Sequence, residues 1–170
     1  MRTTAPARFP TIRPLRFRIG QPPDTASLRR DVIERPAGTP YLERFHLVIS
    51  PQVNIRFHHF CADDPADLHD HPWDSTSLLL YGRVREHTAH RADRWEPGDI
   101  VTRPAEQAHR LELLDGEAWT YFVTGPLLRR WGFHVGARWI PWQDYPGAGT
   151  YGTGAVGALT DRSGAWAGED

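Results

Sequence analysis

Residues 69–87 read HDHPWDSTSLLLYGRVREH. His69 and His71 are two positions apart at the start of this stretch, and an alternating segment follows at Ser75–Tyr81. In an extended chain, residues i and i+2 lie on the same face, so both imidazoles can reach one metal ion. Five aspartates surround the pair: Asp63, Asp64, Asp67, Asp70 and Asp74. We expect this acidic loop to be solvated, with Asp70 as a hydrogen-bond acceptor that orients a ligand imidazole.

The two-residue period continues on both sides of this stretch. Turn signals such as Ser50-Pro51, Pro97-Gly98 and Asp115-Gly116 separate short alternating segments. The predicted strands are Leu42–Ile49, Val53–Phe60, Ser75–Tyr81, Val84–His90, Asp99–Thr102, His109–Leu114, Trp119–Val123 and Trp131–Val135. Many short strands without helices between them favour an all-β sandwich or barrel.

The two ends of the chain differ from this β region. Residues 1–23 are rich in proline and are predicted to form an extended arm with an edge strand at Leu15–Ile19. Residues 24–35 (DTASLRRDVIER) carry Leu28, Val32 and Ile33 at helical spacing, and we predict one short helix there. Residues 146–170 are rich in glycine and alanine, which predicts disorder. Residues 24–145 are therefore expected to form a single domain.

Composition excludes several classes of function. The formal net charge is −1, so there is no global electrostatic case for binding nucleic acid or an anionic membrane. The sequence contains no lysine, which excludes a Schiff-base lysine or a P-loop lysine. Cys61 is the only cysteine, so an intrachain disulfide is impossible. No apolar segment approaches the roughly 20 residues that cross a bilayer, and we expect a cytoplasmic protein.

The spacing of the histidines resembles the two sequence motifs of the cupin superfamily, HxH(x)3–4E(x)6G and G(x)5PxG(x)2H. The matching residues are His69, His71, Gly82, Gly98, Pro104 and His109. The resemblance covers roughly residues 41–135. It implies an all-β jelly-roll barrel of the double-stranded β-helix type that holds a divalent metal with His69, His71 and His109.

The chain departs from the first motif at the position of its carboxylate ligand. Ser75 stands where cupins usually have a metal-binding glutamate, and Glu106 replaces a glycine of the second motif. The implied site is a set of three histidines. Asp74 would reach the metal only if its strand bulges, and Glu86 lies further along and could face the cavity.

Two narrower resemblances bear on the metal and the reaction. The HDH and Arg-Val-Arg-Glu stretches, with residues 109–112, are similar to thiol dioxygenases such as cysteine dioxygenase, which hold Fe(II) with three histidines. Tyr41 and Arg44 are a shifted version of the Tyr-x-Arg pair with which those enzymes grip a carboxylate. HDHPWD and the TGP…WGFH ending at residues 124–134 resemble small uncharacterised bacterial and phage cupin proteins. Fe(II) is therefore the expected cofactor, with Zn, Ni and Mn as alternatives.

Several other residues are candidates for the pocket. Arg44 and Arg110 could bind a substrate carboxylate, as could Arg56. Trp73 follows HDHP at the predicted barrel mouth, where its ring could shield the metal or stack on a substrate. The candidate acid and base groups are Tyr121, Glu86 and Asp74. The remaining histidines, including His46, His58, His87, His90 and His134, are interpreted as ordinary strand or surface residues.

Three functions remain open at this point. The first is a mononuclear non-haem Fe(II) oxygenase or dioxygenase that acts on a small anionic molecule. The second is a redox-neutral isomerase, epimerase or lyase in which Zn or another divalent ion polarises a carbonyl. The third is a non-catalytic module that binds a metal or ligand. The missing carboxylate ligand favours the first. We also expect a homodimer, because the N-terminal arm could add a strand to a partner's sheet.

Overall fold

The computed structural model of the chain describes residues 17–146. Most of the predicted arm and almost all of the predicted tail lie outside these residues. Twelve strands run through the described part: β1 (Arg29–Glu34), β2 (Pro40–Ile49), β3 (Asn54–Phe60), β4 (Leu68–His69), β5 (Ser75–Tyr81), β6 (Val84–His87), β7 (Ala92–Trp95), β8 (Ile100–Arg103), β9 (Arg110–Leu113), β10 (Ala118–Thr124), β11 (Gly132–Val135) and β12 (Arg138–Pro141). All eight predicted strands are present, with ends that differ by a few residues.

The strands form two antiparallel layers around a cavity. One layer is a six-stranded sheet in the order β1-β2-β3-β10-β5-β8. The other consists of two three-stranded sheets, β12-β11-β4 and β7-β6-β9, joined by an isolated antiparallel bridge between His69 and His109. Both layers contribute side chains to the cavity between them. This architecture is a double-stranded β-helix of the cupin type, and the predicted fold class is confirmed.

The helix predicted over residues 24–35 is wrong. The chain turns at residues 26–28 and then forms β1, which pairs antiparallel with β2. Val32 and Ile33 are β-branched and favour extended backbone, and pairing with β2 buries Ile33 in the core. The only helical segment among the described residues is a short 3-10 helix at Trp142–Asp144. Nothing helical in this part of the chain is long and apolar enough to cross a membrane.

Both faces of the six-stranded sheet carry clusters of buried apolar side chains. Its inner face contributes Leu42, Phe60 and Leu79 to a cluster around the cavity. Its outer face carries a second apolar cluster built on Phe45, Phe57, Leu80 and Trp119. Phe17 covers part of the outer face and stacks on Tyr121, with ring centroids 5.5 Å apart. Phe17–Ile19, the described part of the predicted edge strand, is not in a strand.

The two motif glycines lie in turns between strands and have positive φ angles. Gly82 follows β5 with a φ of 75°, and a Cβ there would lie 2.2 Å from the carbonyl oxygen of Glu117. Gly98 precedes β8 with a φ of 105°. Only glycine adopts such angles readily, so Gly82 fixes the turn between β5 and β6, and Gly98 fixes the turn between β7 and β8.

Candidate metal centre

The backbone brings two of the three histidines side by side. The amide of His69 donates to the carbonyl of His109 and the amide of His109 donates to the carbonyl of His69, both at 2.9 Å. Residues paired in this way in an antiparallel ladder project their side chains from the same face. His71 lies two residues further along, and its amide donates to the carbonyl of Ala105 at 2.9 Å. One ligand nitrogen from each histidine lies within 4.8 Å of the other two.

The three imidazoles are suited to a divalent cation. Desolvation by burial lowers the pKa of His69 to about 4 and that of His71 well below its usual value, so both rings are neutral. Neutral imidazole is the form that ligates a metal. The Nε2 atoms of His71 and His109 face each other at 2.9 Å, and the buried Nδ1 of His69 has no hydrogen-bond partner among the described residues. Three converging imidazoles fit a metal held by three histidines.

Glu86 lies behind His109 and orients it. One carboxylate oxygen accepts from His109 Nδ1 at 2.7 Å and from Arg103 Nε at 2.5 Å. The other accepts from Arg103 and from Trp95 Nε1, both at 2.9 Å. Burial by itself raises the pKa of Glu86, but the hydrogen bonds from His109 and Arg103 lower it to about 2. The carboxylate therefore holds the proton of His109 on Nδ1 and leaves Nε2 free toward the other two histidines.

Besides Glu86, which lies behind His109, three predicted site residues do not line the cavity. Asp74 is exposed, and its Oδ1 accepts from the amide of Ala105 at 2.8 Å, so the bulge that would aim it at the metal is not formed. Tyr121 lies on the outer face, because its strand neighbours Thr120 and Phe122 point inward. Arg110 is half-buried and does not line the cavity.

The acidic residues around the motif are structural. The expectation of a solvated loop is wrong for Asp64 and Asp70, whose exposed fractions are 6% and 1%. Asp64 accepts from the amide of Leu111 at 2.6 Å. Asp70 accepts from the amide of Gly132 at 2.8 Å and from Trp139 Nε1 at 2.9 Å, so it ties β11 and β12 to the histidine strand. Among the described residues, Asp70 forms no hydrogen bond with any of the three clustered histidines. The residue that orients a histidine of the cluster is Glu86, which contacts His109.

The indole rings of Trp73 and Trp131 lie near the imidazole of His71. Trp73 lies nearly parallel to the His71 ring with centroids 6.3 Å apart, and Trp131 lies nearly parallel to it at 6.4 Å. Both tryptophans line the cavity, and Trp73 is buried rather than exposed at a mouth. The cavity has a volume of about 130 Å³. One enclosed water needs roughly 10–15 Å³ on this measure, so the cavity accommodates a small molecule.

A basic wall faces this space from β2 and β3. Arg44 pairs in register with His58, and both are buried and line the cavity together with Arg56. Arg56 is only 1% exposed, its Nε has no hydrogen-bond partner, and it forms no salt bridge with another described residue. Burial, with the nearby charge of Arg44, lowers the pKa of Arg56 to about 10, so it remains charged at neutral pH. Its guanidinium lies 5.9 Å from the ring centroid of Trp73.

The sequence interpretation missed His58. The sequence pattern predicts an ordinary strand or surface residue at this position, yet the ring lines the cavity and stacks on Phe122 at 4.4 Å, and its Nε2 is buried without a partner among the described residues. Desolvation by burial lowers its pKa well below the usual value. The available signal was its spacing of two residues from Arg56 on one strand, because the two side chains must then share a face.

Comparison with known proteins bears on the fold alone. No protein-family model matches the chain, and no curated protein matches its sequence. The solved structure of FeII HppE is similar with a TM-score of 0.50 and 16% identity, over 62% of this chain and 59% of that one. DMSP lyase DddQ from Ruegeria pomeroyi DSS-3 is similar with a TM-score of 0.49 and 16% identity, over 59% of this chain and 57% of that one.

A third similar structure is an uncharacterized conserved protein with a double-stranded beta-helix domain from Klebsiella pneumoniae subsp. pneumoniae MGH 78578. Its TM-score is 0.46 and its identity 16%, over 54% of this chain and 83% of that one. The chain spans less than two thirds of the length of FeII HppE and of DddQ. The likeness to FeII HppE agrees with the cupin-type fold, and the chemistry has to be argued from the residues of this chain.

Proposed function

We propose that this protein is a mononuclear non-haem iron(II) oxygenase that acts on a small anionic molecule. One observation carries the proposal: three imidazoles converge at a cavity that is also lined by a fully buried arginine, and this arginine forms no salt bridge with another described residue. The first feature is a site for a metal, and the second is a site for an anion. Their presence in one small cavity is what an enzyme with a metal and an anionic substrate requires.

His69, His71 and His109 would hold the iron and leave further coordination positions open. Iron(II) supplies the redox chemistry needed to activate dioxygen. Glu86 keeps the His109 ring in the tautomer and orientation for binding, and Trp73 and Trp131 exclude bulk water from the His71 side. These contributions are all made by groups that already occupy fixed positions in the fold.

Arg56 would bind the substrate. A buried guanidinium without a counter-ion costs several kcal/mol of stability, and a carboxylate or other anionic group that enters the cavity removes that cost. Guanidinium and carboxylate also pair through two parallel hydrogen bonds, which would fix the orientation of the molecule. Arg44, the other arginine of the basic wall, adds positive charge nearby.

A redox-neutral isomerase or lyase is the second candidate. The acid and base groups expected for it are not available, since Tyr121 and Asp74 lie outside the cavity and both oxygens of Glu86 accept hydrogen bonds from other side chains. His58 is the specific observation in its favour, because an unpartnered ring nitrogen in the cavity could accept a proton. An oxygenase does not depend on such a base, and we therefore rank it first.

Metal content tests the site. We expect protein purified without added metal to carry iron, and expect His71→Ala and His109→Ala to lose most of it because each removes one of three ligands. His90→Ala is the matched control, since His90 is exposed and offers no ligand to the cluster. Unchanged metal content in both ligand variants would contradict the three-histidine assignment.

Oxygen consumption tests the reaction. Iron(II)-loaded protein should consume dioxygen with a small carboxylate or phosphate from a panel, and zinc-loaded protein should not. Arg56→Met should keep its iron and lose about 10- to 100-fold in apparent affinity for that compound, the loss expected for one charged hydrogen-bonded pair. Turnover of a panel compound by the zinc form without oxygen uptake would favour the isomerase or lyase instead.

A further inference from the structure

A second group of possible metal ligands lies on the outer face of the six-stranded sheet. Glu43 on β2 and His59 on β3 are cross-strand neighbours, and Cys61 follows two residues after His59. His59 Nδ1 lies 3.0 Å from Glu43 Oε2 and 3.7 Å from Cys61 Sγ. All three side chains are partly buried, which leaves the group accessible from solvent. We call these three residues the outer cluster.

We propose that the outer cluster binds a zinc ion. In tetrahedral zinc sites the Zn–S distance is about 2.3 Å and the Zn–N distance about 2.0–2.1 Å, so a thiolate and an imidazole nitrogen on one ion lie about 3.6 Å apart. The observed separation of the Cys61 and His59 atoms is 3.7 Å. The sulfur and nitrogen are thus already close to the spacing that one ion would impose. The carboxylate of Glu43 completes three ligands, and a water would occupy the fourth position.

Glu117 and Trp119 hold the imidazole in the orientation that zinc requires. His59 Nε2 lies 2.8 Å from Glu117 Oε2, on the side of the ring away from Cys61. A ligating histidine usually donates its second N–H to a carboxylate in this way. The ring also stacks on Trp119 with centroids 4.3 Å apart and an angle of 9° between the planes. The ring is therefore prepared to present Nδ1 to an ion.

The charges around the outer cluster favour a cation. Glu43 and Glu117 face the single imidazole, and Arg30 contacts the other oxygen of Glu43. Zinc would bind His59 Nδ1 and would replace the proton on the Cys61 thiol, which would be released to solvent. A set of one thiolate, one imidazole and one carboxylate suits zinc better than calcium or magnesium, which select oxygen ligands.

The only cysteine of the chain makes the test specific. Cobalt(II) is added to the full-length protein as a spectroscopic substitute for zinc, and thiolate-to-cobalt charge transfer is followed in the near ultraviolet. Any such band must come from Cys61, because the three-histidine site contains no sulfur. We expect the band to saturate at one cobalt per Cys61 and to disappear on addition of zinc.

Variants separate the two sites. Cys61→Ser should abolish the band and reduce the number of bound zinc ions by one, and Glu117→Gln should keep the band with a zinc affinity about 10- to 100-fold lower. His71→Ala should keep the band although it disrupts the other site. Absence of the band in the wild-type protein, or equal zinc stoichiometry in wild type and Cys61→Ser, would overturn the proposal. Neither outcome would affect the proposed iron site.

Discussion

His58 and His59 are adjacent on β3 and point to opposite faces of the sheet. Both ring nitrogens of His59, on the outer face, have a carboxylate oxygen within 3.0 Å. On the inner face, His58 Nε2 is buried with no partner. An unsatisfied buried polar group costs free energy of folding, and most native structures avoid it. The difference indicates that the polar groups at this point of the outer face are satisfied within the fold, whereas the inner face retains a buried polar group that a molecule in the cavity would satisfy.

The same contrast extends beyond this pair. Unpartnered buried nitrogens occur on the inner face at Arg56, and again among the clustered histidines at His69. On the outer face, charged groups such as Arg30 and Glu43 are paired. The contrast is not complete, since Arg103 lines the cavity and its guanidinium is paired with Glu86, which lies behind His109. Substitutions of inner and outer residues should therefore change stability in different directions, and three predictions follow from this, from the largest effect to the smallest.

The largest effect is expected for Glu86→Leu. The substitution leaves the Arg103 guanidinium, which is only 4% exposed, without its carboxylate. Breaking a buried charged pair by removing one partner typically costs about 3–5 kcal/mol of unfolding free energy. Urea unfolding of the metal-free protein measures this loss. The metal affinity should fall as well, by about 10- to 100-fold, because His109 loses its orienting partner.

Glu112→Leu is the matched control for Glu86→Leu. Glu112 also contacts an arginine and a histidine, Arg85 and His87, but in a more exposed position on the outside of β9. Its removal should leave the unfolding midpoint close to that of the wild type. Equal losses of stability in the two variants would show that the buried Glu86–Arg103 pair contributes no more to the unfolding free energy than a surface ion pair does.

Local pattern was enough to predict eight of the twelve strands and the convergence of the three histidines. Alternation located β5 at Ser75–Tyr81 without error, and the HxH spacing identified two histidines on one face. The helix prediction failed because it used only the local spacing of Leu28, Val32 and Ile33. That spacing contains no information about β2, the strand with which this segment pairs. Tertiary pairing decided the structure of that segment.

Which face of a strand points inward could not be predicted on β10. Trp119 and Tyr121 share one face, and Thr120 and Phe122 share the other, but both faces are covered by apolar side chains. Alternation identifies the inner face only when the opposite face is solvated. The hydrogen bonds of Asp64 to Leu111 and of Glu86 to His109 could not be predicted from local sequence either. In each case the partner is more than 20 residues away in sequence.

An intermediate effect of opposite sign is expected for Arg56→Met. Methionine fills a similar space without charge, so the cost of burying an unpaired guanidinium disappears. We expect the metal-free protein to gain about 1–4 kcal/mol in unfolding free energy. Arg85→Met on the surface should give no such gain, because Arg85 is solvated and paired with Glu112. A loss of stability in Arg56→Met would mean that Arg56 already has a counter-ion, and would remove the argument for an anionic substrate.

The smallest effect, and the most direct test of the comparison, comes from His58→Phe and His59→Phe. Phenylalanine preserves both ring stacks, that of residue 58 on Phe122 and that of residue 59 on Trp119. His59→Phe removes the hydrogen bonds to Glu43 and Glu117, and because these carboxylates are partly exposed we expect a loss of only about 1 kcal/mol. His58→Phe removes a nitrogen that has no partner, and the adjoining cavity accommodates the slightly larger ring, so stability should stay the same or rise. Unfolding midpoints of the two metal-free variants at neutral pH give the comparison. If His58→Phe loses as much stability as His59→Phe, then His58 Nε2 has a hydrogen-bond partner in solution. The proposed difference between the two faces would then be wrong at the position where it should be clearest.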